Sequence, residues 1–351
     1  MSFFRKYAEV YPAEIARLCR ARAAGRFAHS FLIRCDDETV RREFAVVLAQ
    51  IGGCPHSKNG VPDTRCPYCA KLENGTYSEF HTLSPCGKMY QIRVGEIGHP
   101  EPNTVRSFLD TLSLTGSEAF PVKIGLIRDA DRLNDAAQNA LLKTLEEPPD
   151  ETFIILSTAN VASLLPTTRS RCQLISLAVE HRTIAFPGAE TLFGVLNHLI
   201  SCEKGDLGAA EEGAATLIAL FGKLSDEAEA KSEEDFADQF KVAKQMEDPV
   251  FLKNLEERRQ DAASGDYMRM RKELLSAIHT FAAECYMLSQ GIRAADLPHR
   301  EVFPGELPEF TPARGKAILD EAETLLSTLR FNVPEELALR SFAVNLVMAA
   351  K

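Results

Sequence analysis

At 351 residues the chain exceeds what one hydrophobic core supports, so two or three domains are expected. Hydrophobic residues make up 45% and charged residues 26%, an ordinary globular composition with enough apolar mass for real cores. Acids outnumber bases 50 to 40, a formal charge of −10, which argues against autonomous tight DNA binding but leaves room for a local basic patch or a shared assembly surface.

No apolar run approaches the roughly 20 residues that span a bilayer, so no membrane segment is expected. The start, Met1-Ser2-Phe3-Phe4-Arg5-Lys6, enters an amphipathic pattern without the apolar core and cleavage site of a signal peptide. Nine cysteines, an odd count in a long chain, argue against a disulfide framework. A cytoplasmic protein with reduced thiols is expected.

In chain order, the predicted strands are Ser30–Ile33, Tyr90–Val94, Val122–Ile127, Thr152–Ser157 and Gln173–Leu177, all short and several rich in β-branched residues. Helices are predicted between them. In Glu38–Ile51 the residues Val40, Phe44, Val47, Leu48 and Ile51 share one face, and Gly52-Gly53 stops the helix. Asn103 is the expected cap of a helix with Val105, Phe108, Leu109 and Leu112 on one face, and Asn134–Leu145 runs up to Pro148-Pro149. This alternation predicts an α/β fold with a mainly parallel sheet. From about Ala178 strand patterns vanish. Residues 203–263 are acidic and helix-prone, Leu297–Pro312 reads as a connection, and Ala317–Leu329 and Pro334–Ala350 read as two helices. The expected layout is an α/β domain over 1–178, a small helical domain over 179–207 and a larger helical domain over 208–351.

The most specific stretch is Lys123-Ile-Gly-Leu-Ile-Arg-Asp-Ala-Asp-Arg-Leu-Asn with Asn139-Ala-Leu-Leu-Lys-Thr-Leu-Glu-Glu-Pro-Pro149. It continues through Phe153-Ile-Ile-Leu-Ser-Thr158 and Leu165-Pro-Thr-Thr-Arg-Ser-Arg-Cys172, and Gly25-Arg-Phe-Ala-His-Ser-Phe-Leu32 precedes it. Together these closely resemble the AAA+ subunits of bacterial clamp loaders, which open the sliding clamp of DNA polymerase III. The resemblance implies an AAA+ α/β domain of the P-loop type followed by all-α domains, the small one a lid and the larger one an oligomerisation collar.

An ATP-cleaving member carries Gly-x-x-x-x-Gly-Lys-Ser/Thr after its first strand, where backbone amides cradle phosphate, lysine neutralises charge and the hydroxyl holds Mg²⁺. Here Cys35 and Val40 stand at the glycine positions, Arg41 at the lysine and Arg42 at the hydroxyl, while Asp36, Asp37 and Glu38 would repel a triphosphate. At the acidic pair that would hold metal and activate water stand Arg128 and Asp129, and an arginine cannot ligate a cation. Asp129 and Asp131 read as solvated acids of a turn. The expectation is an AAA+ fold that binds no ATP itself.

Within the family that profile resembles the delta-prime subunit. The resemblance implies a component of the DNA polymerase III holoenzyme that is not an enzyme by itself. It would assemble with delta and gamma/tau subunits to load the sliding clamp in replication, and meet primer-template DNA only within the complex. Ser170-Arg171-Cys172 matches the family's arginine-finger motif, so Arg171 is expected to act in trans on a neighbour's ATP, although a lone arginine is otherwise read as a surface charge. Thr158 falls at the sensor position, with a vestigial role.

The family also carries four cysteines, Cys-x8-Cys-x2-Cys-x2-Cys, around a structural zinc. In the excursion 54–69, Cys54, Cys66 and Cys69 match and Asp63 stands at the second position, so three thiolates and Asp63 are the expected ligands. His56 competes for the fourth place, and ordinary buried thiols are the alternative to a metal. Cys19, Cys35, Cys86, Cys172, Cys202 and Cys285 have no ligand spacing and read as core residues. Two other readings stay open: a true ATPase using Arg41 in a divergent loop, and a zinc-containing scaffold outside replication.

Overall fold

Successive side chains of the first strand part to opposite sides, Phe31 and Ile33 into one apolar cluster and Leu32 into another. Such a strand is covered on both faces. The computed structural model describes residues 2–349 apart from 88, 97–100, 115–121, 180–183, 185, 247–248, 304–308 and 330–332, and contacts divide the chain into two units, Met1–Val179 and Glu180–Lys351.

The first unit runs α1 (Phe3–Val10), α2 (Pro12–Ala23), β1 (Ser30–Arg34), α3 (Glu38–Gly53), α4 (Pro67–Glu73), β2 (Phe80–Leu83), α5 (Val105–Ser113), β3 (Lys123–Ile127), α6 (Asp135–Glu146), β4 (Thr152–Thr158), α7 (Pro166–Arg169) and β5 (Gln173–Ser176). Among the described residues the strands form one parallel sheet in the order β2-β3-β4-β1-β5. Phe44, Val47 and Ile51 of α3 pack with Phe31, Ile124, Ile155 and Ile175 on one face. On the other, Phe108 and Leu112 of α5 and Leu141 and Leu145 of α6 pack with Leu32, Ile127, Ile154 and Leu156. The α/β expectation therefore holds, as a three-layer sandwich.

Two local expectations are corrected. The strand beside β3 is Phe80–Leu83, and Tyr90–Val94 makes only isolated bridges, Cys86 with Gln91, Ile92 with Leu133 and Arg93 with Thr104. Phe-His-Thr-Leu is a short, half-exposed edge strand without alternation, so it carries little sequence signal. The cap of α5 is Thr104, whose hydroxyl accepts from the Ser107 amide; Asn103 precedes it with φ +56.

The second unit comprises α8 (Ala189–Ser201), α9 (Leu207–Met246), α10 (Pro249–Ser289), α11 (Pro312–Thr328) and α12 (Glu335–Met348). One apolar cluster runs through all of them, with Leu196, Leu217, Phe281, Leu325 and Phe342 among its members. The acidic stretch is folded into α9 and α10, pinned by Lys231–Asp266 at 2.6 Å and by Ser232 Oγ donating to the Arg259 carbonyl at 2.8 Å. No helix of the described residues is long and apolar enough to cross a membrane.

Candidate functional site

In an open parallel sheet ligands gather beyond the carboxyl ends of the strands. Here β1, β4 and β3 are neighbours, and their ends bring Cys35, Thr158 and Arg128-Asp129 to one rim. The Cys35 amide donates to the Thr158 carbonyl at 3.1 Å.

The rim is filled by the chain's own charges. Asp37 caps α3, its carboxylate accepting from the Thr39 and Val40 amides at 2.7 and 3.2 Å. In a phosphate loop those amides would face the ligand. Arg41 is 3% exposed and turns its guanidinium inward, donating to the Cys35 carbonyl at 2.6 Å and to Asp129 Oδ1 at 2.8 Å. Tyr90 Oη donates to Asp129 Oδ2 at 2.8 Å. Asp129 has left-handed backbone (φ +43), which Asp tolerates better than most residues, and it is 2% exposed. The reading of Asp129 as a solvated turn acid is thereby corrected: it is the buried partner of Arg41 and Tyr90. Asp131 accepts from Thr158 Oγ1 at 2.6 Å, so it too is engaged.

A second pair repeats the pattern, Arg128 from the end of β3 with Glu38 in the first turn of α3. Arg42 is exposed on α3, and Val40 is half-buried beside it. These residues do not fit a bound triphosphate. A carboxylate occupies the helix N-terminus, the cation at the lysine position is spent on Asp129, and an arginine stands at a metal-ligand position. Of this network, only the acids' repulsion was legible in sequence. Asp37 as a cap could have been read from its place before Glu38; Tyr90 and the cross-pairing could not.

Arg171 follows α7 with its side chain 30% exposed, paired with Glu146 at the end of α6 and donating to the Thr167 carbonyl at 2.9 Å. Glu146 carried no sequence signal as its partner. Burial pushes the Cys172 thiol up to about 12.

The cysteine excursion forms a separate centre. Cys54, Cys66 and Cys69 are buried, their sulfurs all within 4.8 Å of one another, with Cys54 and Cys66 at 3.8 Å. A tetrahedron with Zn–S bonds of about 2.3 Å has edges of about 3.8 Å, so the trio fits zinc. Cys66 caps α4 and its sulfur accepts from the Cys69 amide at 3.5 Å, while backbone amides of Asp63 and His56 point at the Cys54 sulfur. Burial pushes the Cys54 and Cys69 thiols up, which a divalent cation would reverse. Asp63 is not brought into the trio: its carboxylate is exposed and accepts from the Arg65 amide at 3.1 Å. The His56 side chain is exposed as well.

The three-layer sheet, with phosphate-loop, metal-strand and sensor positions meeting at its carboxyl rim, defines an AAA+ α/β domain of the P-loop type, followed by a helical unit. Residues 11–181 match the family described as "DNA polymerase III, delta subunit". DNA polymerase III subunit delta' of Haemophilus influenzae is 31% identical over 172 residues, 49% of this chain and 49% of that protein. The subunit delta' of Escherichia coli is 32% identical over 166 residues, 47% of each chain. Among solved structures, a gamma subunit-related protein of Thermotoga maritima aligns over 90% of this chain and 93% of its own at 17% identity, with a TM-score of 0.40. The match thus spans about half the length of these curated relatives. By the family match and these relatives, the chain resembles the AAA+ clamp-loader subunits of bacterial DNA polymerase III, delta-prime among them, as its motifs led one to expect.

Proposed function

We propose that this chain is a delta-prime-like subunit of the DNA polymerase III clamp loader, without ATPase activity of its own, acting in the cytoplasm beside delta and gamma/tau subunits. The observation that carries the reading is the Arg41–Asp129 pair, which joins the lysine position of a phosphate loop to the metal strand and leaves both unable to serve a nucleotide. A subunit of this kind contributes to its neighbours. Arg171, planar, always charged and near the surface, suits a γ-phosphate held by an adjacent subunit, where such fingers raise turnover by about 10³–10⁵. To act there it exchanges Glu146 for phosphate.

Cys54, Cys66 and Cys69 would hold zinc, with Asp63 closing the tetrahedron after leaving the Arg65 amide. Four protein ligands leave no open position, so the metal is structural. Residues 179–207 serve as the lid and 208–351 as the collar. Leu325 of α11 and Leu339, Phe342 and Leu346 of α12 are spent on the unit's own core. What α12 leaves outside is Leu337, Val344 and Met348, a stripe at helical spacing that a neighbouring collar would cover.

Co-expression with delta and gamma/tau subunits tests the whole reading. The chain is expected to co-purify in one complex, and alone to show no saturable ATP binding by calorimetry with Mg²⁺. Absence from the complex, or a micromolar dissociation constant for ATP, overturns it.

A further inference from the structure

Two stretches of the N-terminal unit, far apart in sequence, meet in a surface whose charge runs against the rest of the chain. Between Glu14 and Asp36 there is no acid, yet five arginines occur. From Cys54 to Lys71 there are three bases and a single acid, Asp63. In a chain with 50 acids and 40 bases this is a concentration of positive charge, not its background.

The stretches touch. Gly60, in the turn between Lys58 and Val61, has φ +77, and a β-carbon there would lie 2.0 Å from the Cys19 carbonyl oxygen and 3.1 Å from the Ala23 amide nitrogen. Only glycine allows that backbone and that approach. The turn therefore rests directly on the last turns of α2, at Cys19 and Ala23, while the Arg26 amide closes the helix end on the Ala21 carbonyl at 2.9 Å. Arg65 directly precedes Cys66, the cap of α4. Tyr68 in turn donates to the Ala49 carbonyl at 3.0 Å, tying the excursion to α3.

Arg17 is occupied by Glu14. By contrast, the side chains of Arg20, Arg22, Arg26, Lys58 and Arg65 make no hydrogen bond or ion pair among the described residues. The acid closest in sequence, Asp63, is turned back on the Arg65 amide. Like charges held together on a fixed backbone repel one another, a cost relieved when a polyanion arrives. Four of the five are arginines, whose forks match phosphate oxygens. Of the aromatic residues of these stretches, Phe31 is buried and half-buried Phe27 and Tyr68 pack against the apolar clusters and other rings, which leaves little face for stacking unpaired bases.

We infer that the C-terminal turns of α2 and the cysteine excursion together bind the sugar-phosphate backbone of duplex DNA without reading its sequence. The choice of DNA over an acidic protein rests on the clamp-loader reading; the surface itself does not. The net negative chain makes the contact weak alone and strongly dependent on salt.

The test is anisotropy of a short labelled duplex titrated with the zinc-loaded full chain across a salt series. Duplex binding at low salt is expected, with a log–log salt slope of about 0.9 for each phosphate neutralised. Arg20→Gln/Lys58→Gln/Arg65→Gln is expected to bind about tenfold more weakly with a shallower slope. The charge-matched control Lys204→Gln/Lys223→Gln/Lys316→Gln, in the helical unit, is expected to bind as wild type. No duplex binding at low salt, equal binding by the surface variant, or an equal loss in the control overturns the inference. Binding of poly-glutamate in place of duplex overturns it in favour of an acidic protein partner. Co-purification of the surface variant with delta and gamma/tau subunits is read separately. A wild-type chain that binds duplex but never enters the complex overturns the clamp-loader reading, while one that assembles but ignores DNA overturns only this inference.

Discussion

Arg41 and Asp129, 88 positions apart in sequence, lie 2.8 Å apart in space, each side chain 3% exposed. The pair ties the first turns of α3 to Asp129, two residues past the end of β3. By the family resemblance, it stands where a nucleotide-binding relative would need a free cation and the acid that activates water. The Cys35 carbonyl and the Tyr90 hydroxyl complete it, while Arg41 Nε has no partner. A buried pair of this kind is weak evidence for stability, yet losing one member is costly because the other is left charged and dry.

Arg41→Ala should therefore destabilise the chain by about 3–5 kcal/mol, read by urea denaturation. Replacing both partners, as Arg41→Met with Asp129→Leu, should cost much less than the single change. Neither protein should gain ATP affinity, because Asp37 still caps α3 and Arg128 still faces Glu38. If the double variant proves no more stable than Arg41→Ala, the pair is not what the rim depends on.

Zinc should be present at about one equivalent in protein prepared without chelators. Cys66→Ala should lose it and expose the excursion to proteolysis, since metal affinity here is local folding energy. Asp63→Ala should weaken retention against a chelator and keep the protein folded. Zinc held as tightly in Asp63→Ala, but lost in His56→Ala, would move the fourth ligand to His56.

Glu284 in α10 is 2% exposed; one oxygen accepts from the His299 amide at 2.9 Å and the other has no partner. Burial, reinforced by Glu301, pushes its carboxyl up from the ordinary range, while the His299 amide pulls it down. Below the unfolded pKa both states carry the proton and nothing is lost. As pH rises, the unfolded chain ionises first, so stability falls until the folded carboxyl ionises too. Glu284→Gln should therefore raise Tm at pH 8 and leave it unchanged near pH 4. A gain equal at both pH values would show that ionisation is not the cause.

Arg171→Ala should leave folding and assembly intact while lowering the ATPase of the reconstituted complex in the presence of clamp and primed DNA. Arg171→Lys should rescue only in part, because a point charge lacks the fork. Glu146→Gln removes the charge that holds the guanidinium within the subunit and should raise the complex's turnover at limiting ATP. Unchanged rates in all three variants would leave Arg171 an ordinary surface ion pair.

The covered sheet was legible because four of its strands are apolar runs of ordinary length and its helices show an apolar face at 3.6-residue spacing. Phe80–Leu83 escaped, since a four-residue edge strand exposed on one side has no pattern to read. The three cysteines of the excursion could be picked out through the resemblance, because they match the family's closely spaced metal ligands, which converge on one ion. Their fourth partner could not, as rotamers and backbone turns decide where Asp63 points.

Through its resemblance to the family, the sequence by itself led one to expect no ATP chemistry here, since Cys35, Val40, Arg41 and Arg128 lack the donors and ligands of the family's phosphate loop and metal strand. What those side chains meet instead was decided only in three dimensions. Arg41 meets Asp129, Arg128 meets Glu38 and Arg171 meets Glu146 through strand order and helix placement, and a pairing across 88 positions has no local periodicity to announce it. The same holds for the basic surface. Sequence shows two stretches poor in acids, but only the close approach of Gly60 to Cys19 makes them one face. Local propensity is written residue by residue, whereas charge complementarity depends on which distant atoms the packed core brings within a few ångströms.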